Sequence, residues 1–216
     1  MKGLIIKDLL TVVKHRYIQC IAILAVMLMA VLFSDMSTIY LFVPVLLSTL
    51  VTNSIQMDEI SRFPNYAETL PVSKKQIVGA KYLFTVTLGL IASVPFTLVG
   101  SILLERNDEF SVNNVLVLFA GAMIIIILLT SLAIPLYLRF GCALANTLYL
   151  ITIGILFGII TAFFTQNGFT VAQMLEKCID ILHNPLPWVI LGILCVGILA
   201  FLSYQIAYRL YQSKEA

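Results

Sequence analysis

The chain has 216 residues, of which 61% are hydrophobic and 11% charged, with a formal net charge of +2. Soluble domains are nearer 45–50% apolar and about one quarter charged, so this composition excludes a soluble enzyme, a nucleic-acid-binding domain and a disordered chain. The roughly 130 apolar residues suffice for about six membrane-spanning helices of about 20 residues each.

The apolar residues form unbroken runs rather than the alternation of a membrane β-barrel. The spans are therefore helices, which satisfy their own backbone groups in lipid. Segment 1–16 comes first. At 100° per residue Val12, Ile5, Leu9, Val13, Ile6 and Leu10 share one side, and Lys14, Lys7, Thr11, His15 and Asp8 the other. This predicts an amphipathic helix in the inner membrane interface, its basic face toward anionic lipid headgroups; a basic flank that only sets topology is the alternative. Lys7, Asp8, Lys14 and Arg16 punctuate the segment and no small-x-small site follows, so the first apolar run reads as a retained span rather than a cleavable signal.

Six spans are predicted, at 17–33, 39–56, 82–104, 114–138, 142–164 and 186–208, in one transmembrane domain covering 1–216. The first two are joined by Ser34-Asp35-Met36-Ser37-Thr38, a tight hairpin, and the fourth and fifth by little more than Arg139-Phe140-Gly141. The loop at 57–81 is divided by Pro64 and Pro71. Pro64 can open a short helix running to Leu70, and Ser73 with Gln76 forms a capping box that starts the helix leading into the third span. A short helix between two breakers suits a docking element or a loop that merely sets topology. In the segment 165–185, Val171, Met174, Leu175, Cys178, Ile179 and Leu182 oppose Gln173, Glu176, Lys177, Asp180 and His183, which predicts an amphipathic outer helix stopped by Asn184-Pro185.

With the N-terminus inside, eleven Lys and Arg residues fall in inner segments and two, Arg106 and Lys177, outside. Both termini are thus expected to be cytoplasmic. The net charge of +2 resolves into +6 inside and −4 outside. Of Cys20, Cys142, Cys178 and Cys195, only Cys178 lies in a polar loop, where it can bridge two copies or be an ordinary buried small residue.

Residues able to carry chemistry are few. No G-x-x-x-x-G-K-[ST], Gly-x-Ser-x-Gly or Cys-x-x-Cys occurs, and His15 and His183 are predicted on opposite sides of the membrane. No catalytic residue, metal site or cofactor is therefore expected in this chain. The six spans are uncharged along their interiors, which disfavours an ion-coupled pathway. Asn146, Gly154, Gly158 and Ala162 form a small-residue stripe, for helix packing within one protomer or a dimer seam. Pro44, Pro95 and Pro135 lie in three different spans, where kinks can shape a cavity or hinge. Thr49, Thr52, Asn53, Ser54 and Gln56 make the inner end of the second span polar, to line a cavity or to hydrogen-bond between helices.

The opening MKGLIIKDL and the stretch DEISRFPNYAETLPVSKKQIVGAKY resemble the permease subunits of ATP-binding cassette (ABC) type-2 transporters, small bacterial six-span proteins. The resemblance implies a plasma-membrane exporter subunit paired with a second permease, identical or similar, and with separate cytoplasmic ABC ATPase subunits holding ATP and Mg²⁺. It makes Phe63, Pro64, Asn65, Tyr66, Ala67, Glu68, Thr69 and Leu70 the coupling helix that docks on the ATPase, and segment 1–16 the interfacial connecting helix. The expected cargo is hydrophobic or amphipathic: an antimicrobial or cytolytic peptide, a drug or a lipid-like molecule. The rival expectation is a non-transporting membrane immunity or scaffold protein, for which a dedicated coupling loop has no purpose.

Overall fold

The computed structural model describes residues 2–15, 17–33, 36–67, 73–106, 111–166 and 185–213. Among them the regular structure is entirely α-helical: α1 (Lys2–His15), α2 (Tyr17–Phe33), α3 (Met36–Ile60), α4 (Phe63–Ala67), α5 (Lys74–Arg106), α6 (Val112–Gln166) and α7 (Pro185–Ser213). The expected outer helix at 165–185, with Cys178 and His183, lies outside the described residues apart from its first two positions and its last.

Among the described residues three stretches are by themselves long and apolar enough to cross a membrane: Lys74–Arg106, Val112–Ile155 and Val189–Gln212. The pair Gly3–Lys14 and Tyr17–Met29, bent by 71°, meets the same standard together. The 44 residues of Val112–Ile155 would extend about 66 Å as one straight helix, twice the ~30 Å of a bilayer core. They are not straight. Gly141 breaks α6 with φ 74° and ψ 169°, a backbone region that essentially only glycine enters.

Contacts across Gly141 show the chain turning back. The Tyr137 hydroxyl donates to Asn146 Oδ1 at 3.1 Å, and Tyr137, Ala145 and Tyr149 share one apolar cluster. Nine residues of continuous helix would put positions 137 and 146 about 13 Å apart. α6 is thus two arms, 112–140 and 142–166.

Side-chain pairs give the direction of each helix. Gln19 bonds Thr49 and Asn53 near one end, while Arg106 Nη1 donates to the Val31 carbonyl at 2.8 Å at the other, so α2 runs with α5 and against α3. A Cβ on Gly100 would lie 2.7 Å from Leu118, and one on Gly192 2.9 Å from Ile124, which places 100, 118, 124 and 192 toward the end remote from α4. Lys75 lies near Tyr204 and Tyr208 at the α4 end. The first arm of α6 and α7 therefore run with α3, and the second arm with α2 and α5. These six long segments alternate in direction along the described chain.

The ends of α5 follow local rules. Ser73 N–H donates to Gln76 Oε1 at 3.1 Å and Gln76 N–H lies 3.4 Å from Ser73 Oγ, the reciprocal bonds of a capping box. The helix then runs 33 residues, about 50 Å, so its first turns stand beyond the apolar part.

The core is a seam of Val43, Leu47, Leu50, Val51, Phe84, Leu88, Phe96, Leu103, Leu118 and Ile126, all buried. Lipid tails are as apolar as these side chains, so close packing and interhelical hydrogen bonds must hold the seam together. Outward, Leu24, Leu28 and Leu32 on α2, Leu90, Val94 and Leu98 on α5, and Leu194, Ile198 and Phe201 on α7 are exposed. Apolar surface of that extent on several helices suits contact with lipid rather than water.

Candidate functional site

α4 is the shortest of the described elements and holds the first five of the residues that the resemblance makes a coupling helix. It follows α3 after a two-residue turn and begins at Phe63, one residue before the proline expected to open it. Pro64 then falls in the first turn, where its missing N–H costs no helical bond. The turn is tightly closed. Ser61 N–H donates to the Met57 carbonyl at 3.0 Å, Arg62 N–H to the Glu59 carbonyl at 3.1 Å, and Arg62 adopts a left-handed φ of 51°. A non-glycine residue pays about 1–2 kcal/mol for that conformation, so the surroundings hold it there.

Of the residues expected to dock, Ala67 is buried and Tyr66 is 60% exposed, its ring 6.3 Å from that of Phe63. Glu68, Thr69 and Leu70 lie outside the described residues, as do the side chains of Pro64 and Asn65. Phe63 is half-buried, with the Lys7 ammonium 3.6 Å from its ring centroid. That cation–π contact ties α4 to α1.

The same lysine belongs to a closed ring of charge. Lys7 Nζ lies 2.5 Å from Asp58 Oδ1 and 3.1 Å from Asp8 Oδ1. Lys81 Nζ lies 2.5 Å from Asp58 Oδ2 and 2.9 Å from Asp8 Oδ1, and also donates to Ser54 Oγ at 3.3 Å. Two cations and two anions alternate, so the ring is neutral and joins α1, α3 and α5. The Asp8 side chain is only 2% exposed, against 30% for Lys7. A buried ion stripped of its partner costs several kcal/mol, so removal of a single member is expected to be costly.

The ring corrects the expected orientation of α1. Lys7 and Asp8 face the protein rather than headgroups, while Ile6, Leu10 and Val13 are exposed and Val12 is buried. The helix is amphipathic, but part of its polar side serves ion pairs and its exposed side is largely apolar. Sequence reading assigned these lysines to topology and missed the ring. The available signal was Asp8, a lone acid on an otherwise basic face.

The acidic pair at the end of α3 divides its work. Asp58 enters the ring, whereas Glu59 Oε2 accepts from the Cys142 backbone N–H at 2.8 Å, capping the second arm of α6. The polar residues deeper in α3 bond to neighbouring helices. Thr49 and Asn53 meet Gln19, and Gln56 Nε2 donates to the Tyr137 hydroxyl at 3.2 Å. Thr52 Oγ1 donates to its own helix at the Thr49 carbonyl, 2.9 Å away. Farther along, Ser48 and Tyr149 hydroxyls lie 2.7 Å apart. Among the small-residue stripe, Asn146, Gly154, Gly158 and Ala162 are all exposed, and no described atom lies within 4 Å of a Cβ placed on Gly154.

Among the described residues no three His, Cys, Asp or Glu side chains converge as metal ligands. The arrangement links a short helix with an exposed Tyr66, through the Lys7–Phe63 contact, to a ring of charge that joins α1, α3 and α5.

A family model described as ABC-2 family transporter protein matches residues 3–212. No curated protein and no solved structure matches the chain.

Proposed function

The chain belongs to the ABC-2 transporter family, and from that membership we propose that it is the membrane permease of an ABC exporter in a bacterial plasma membrane. Two permease subunits, identical or similar, pair with two cytoplasmic ATPase subunits, which bind ATP and Mg²⁺. Each of the six long segments crosses the bilayer, with α4 and both termini in the cytoplasm. The eleven-to-two distribution of Lys and Arg supports that orientation.

The observation that carries this reading is the placement of α4. A five-residue helix with an exposed tyrosine stands just beyond the end of α3 and is anchored by Lys7. In this reading Phe63, Pro64, Asn65, Tyr66, Ala67, Glu68, Thr69 and Leu70 dock into a groove of the ATPase. A rigid-body displacement of that subunit then moves the helices tied to α4. The cargo is hydrophobic or amphipathic, matching the mostly apolar side chains and scattered hydroxyls of the bundle. Thr49, Thr52, Asn53 and Gln56 are available to a cavity if the helices around them separate during transport.

The test is co-expression with an ABC ATPase, sought as a P-loop protein in a reading frame adjacent to this one, followed by purification and reconstitution in lipid. The pair is expected to co-purify and hydrolyse ATP. Tyr66→Ala or Glu68→Lys is expected to cut co-purification or permease-dependent ATPase activity at least tenfold while membrane insertion is unchanged. Full activity in both variants removes the docking assignment.

A further inference from the structure

We propose that Glu59 is a positioning residue that carries movement of α4 into the reversal of α6 at Gly141; the proposal rests on α4 being the docking helix. Only Ile60, Ser61 and Arg62 separate Glu59 from Phe63, and the backbone bonds of that turn, with Arg62 held left-handed, leave it little freedom. A displacement of α4 therefore reaches Glu59 through a stiff connection three residues long.

On its far side Glu59 grips an equally constrained receiver. Its Oε2 accepts from the Cys142 N–H at 2.8 Å, at the positive end of the second arm. Its Oε1 would lie 3.2 Å from a Cβ on Gly141, so the carboxylate also rests against the turn. Gly141, at φ 74° and ψ 169°, has a conformation with few neighbours that a side chain could share. The receiving arm bonds α3 again through Tyr149 and Ser48. Asp58 meanwhile fixes the same end of α3 to α1 and α5 through the ring. Adjacent carboxylates thus distribute one movement to two destinations: Asp58 to α1 and α5, of which α1 holds Phe63 through Lys7, and Glu59 to the arm beginning at Cys142. A cap of purely local importance would stabilise the second arm without affecting how it responds to nucleotide.

The experiment uses the permease–ATPase complex in lipid nanodiscs, with spin labels at the exposed positions Leu90 on α5 and Leu150 on the second arm. In the unmutated complex, ATP is expected to shift the distance between the labels. Glu59→Ala is expected to abolish the shift while the ATPase still co-purifies and hydrolyses ATP. Glu59→Asp keeps the charge but withdraws it from Cys142, and should lose the shift too. Glu59→Gln keeps an acceptor oxygen at full reach and should restore it. A shift that persists in both Glu59→Ala and Glu59→Asp overturns the proposal, as does its loss in Glu59→Gln. Failure of the unmutated chain to bind the ATPase overturns the docking reading, and the proposal with it.

Discussion

At the α4 end of the bundle, helices are joined by contacts that each involve a charged side chain: the ring of Lys7, Asp8, Asp58 and Lys81, the Lys7–Phe63 contact, and the Glu59 cap on the Cys142 N–H. At the opposite end α5 meets α6 through Gly100 against Leu118, with Leu103 and Leu104 buried nearby. The polar bond described there runs from Arg106 to the Val31 carbonyl. Dispersion attraction has no preferred direction, so a rearrangement there requires repacking of side chains rather than the breaking of directional bonds. A ring of alternating charge has one good geometry and many poor ones. Among the described residues, α1, α4 and the adjoining ends of α3 and α5 share charged cross-links, while the described contacts between the far ends are mostly apolar. The proposed reading, in which a cytoplasmic ATPase moves α4, calls for such a division.

The largest effect should come from breaking the ring. Asp8→Ala leaves two cations sharing one carboxylate in a site where Asp8 itself is 2% exposed. Loss of one partner from a buried ion pair costs about 3–5 kcal/mol. Thermal unfolding in detergent or nanodiscs is expected to fall accordingly, and α1 should become accessible to protease. The double variant Lys7→Ala/Asp8→Ala restores neutrality and leaves the Lys81–Asp58 pair at 2.5 Å. It should recover part of the loss. If the double variant is as unstable as the single one, packing rather than charge holds this end, and the contrast between the ends fails.

Gly141→Ala comes next. Its φ of 74° with an extended ψ costs a residue bearing a Cβ about 1–3 kcal/mol, and the new methyl also presses on Glu59. Gly154→Ala, in the same α6 but within regular helix and with open space around it, is the paired control. There the better helix propensity of alanine predicts up to about 1 kcal/mol of gain. The difference in melting temperature between the two variants measures how far the stiffness of the α4 end extends into α6. A loss at Gly154 instead, accompanied by a lower oligomeric mass, would place that position in a seam with a second chain.

How much of this was legible in the sequence depended on the range of the interaction. Long helices follow from apolar runs that exceed a membrane's thickness, α4 from two prolines set seven residues apart, and the start of α5 from Ser73 and Gln76. Each signal is carried by residues close together in the chain. The ring is not. Lys7 and Asp58 are 51 residues apart, Asp8 and Lys81 73, and Glu59 and Cys142 83. Each of those charged residues also had a sufficient local explanation, in membrane orientation or in the polar face of α1, so nothing in the sequence demanded a distant partner. The polar residues of α3 were open to two readings for a similar reason. A threonine or asparagine facing a cavity and one facing another helix have the same spacing, and only the neighbours Gln19 and Tyr137 distinguish them.

The smallest expected effect tests the other end. Arg106 donates to the Val31 carbonyl at 2.8 Å from an exposed position, where water can replace either partner. Its removal leaves no buried charge, and bonds of this exposed kind contribute on the order of 0.5 kcal/mol. Arg106→Ala should therefore change the melting temperature little and remain within about 1 kcal/mol of the parent chain. High salt should matter little to Arg106→Ala, because the bond it removes is already weak and exposed. The informative quantity is the ratio of the two losses. If Arg106→Ala destabilises the bundle as much as Asp8→Ala does, the far ends are as firmly fixed as the α4 end. Motion delivered by Glu59 would then have no compliant region in which to open a path for cargo.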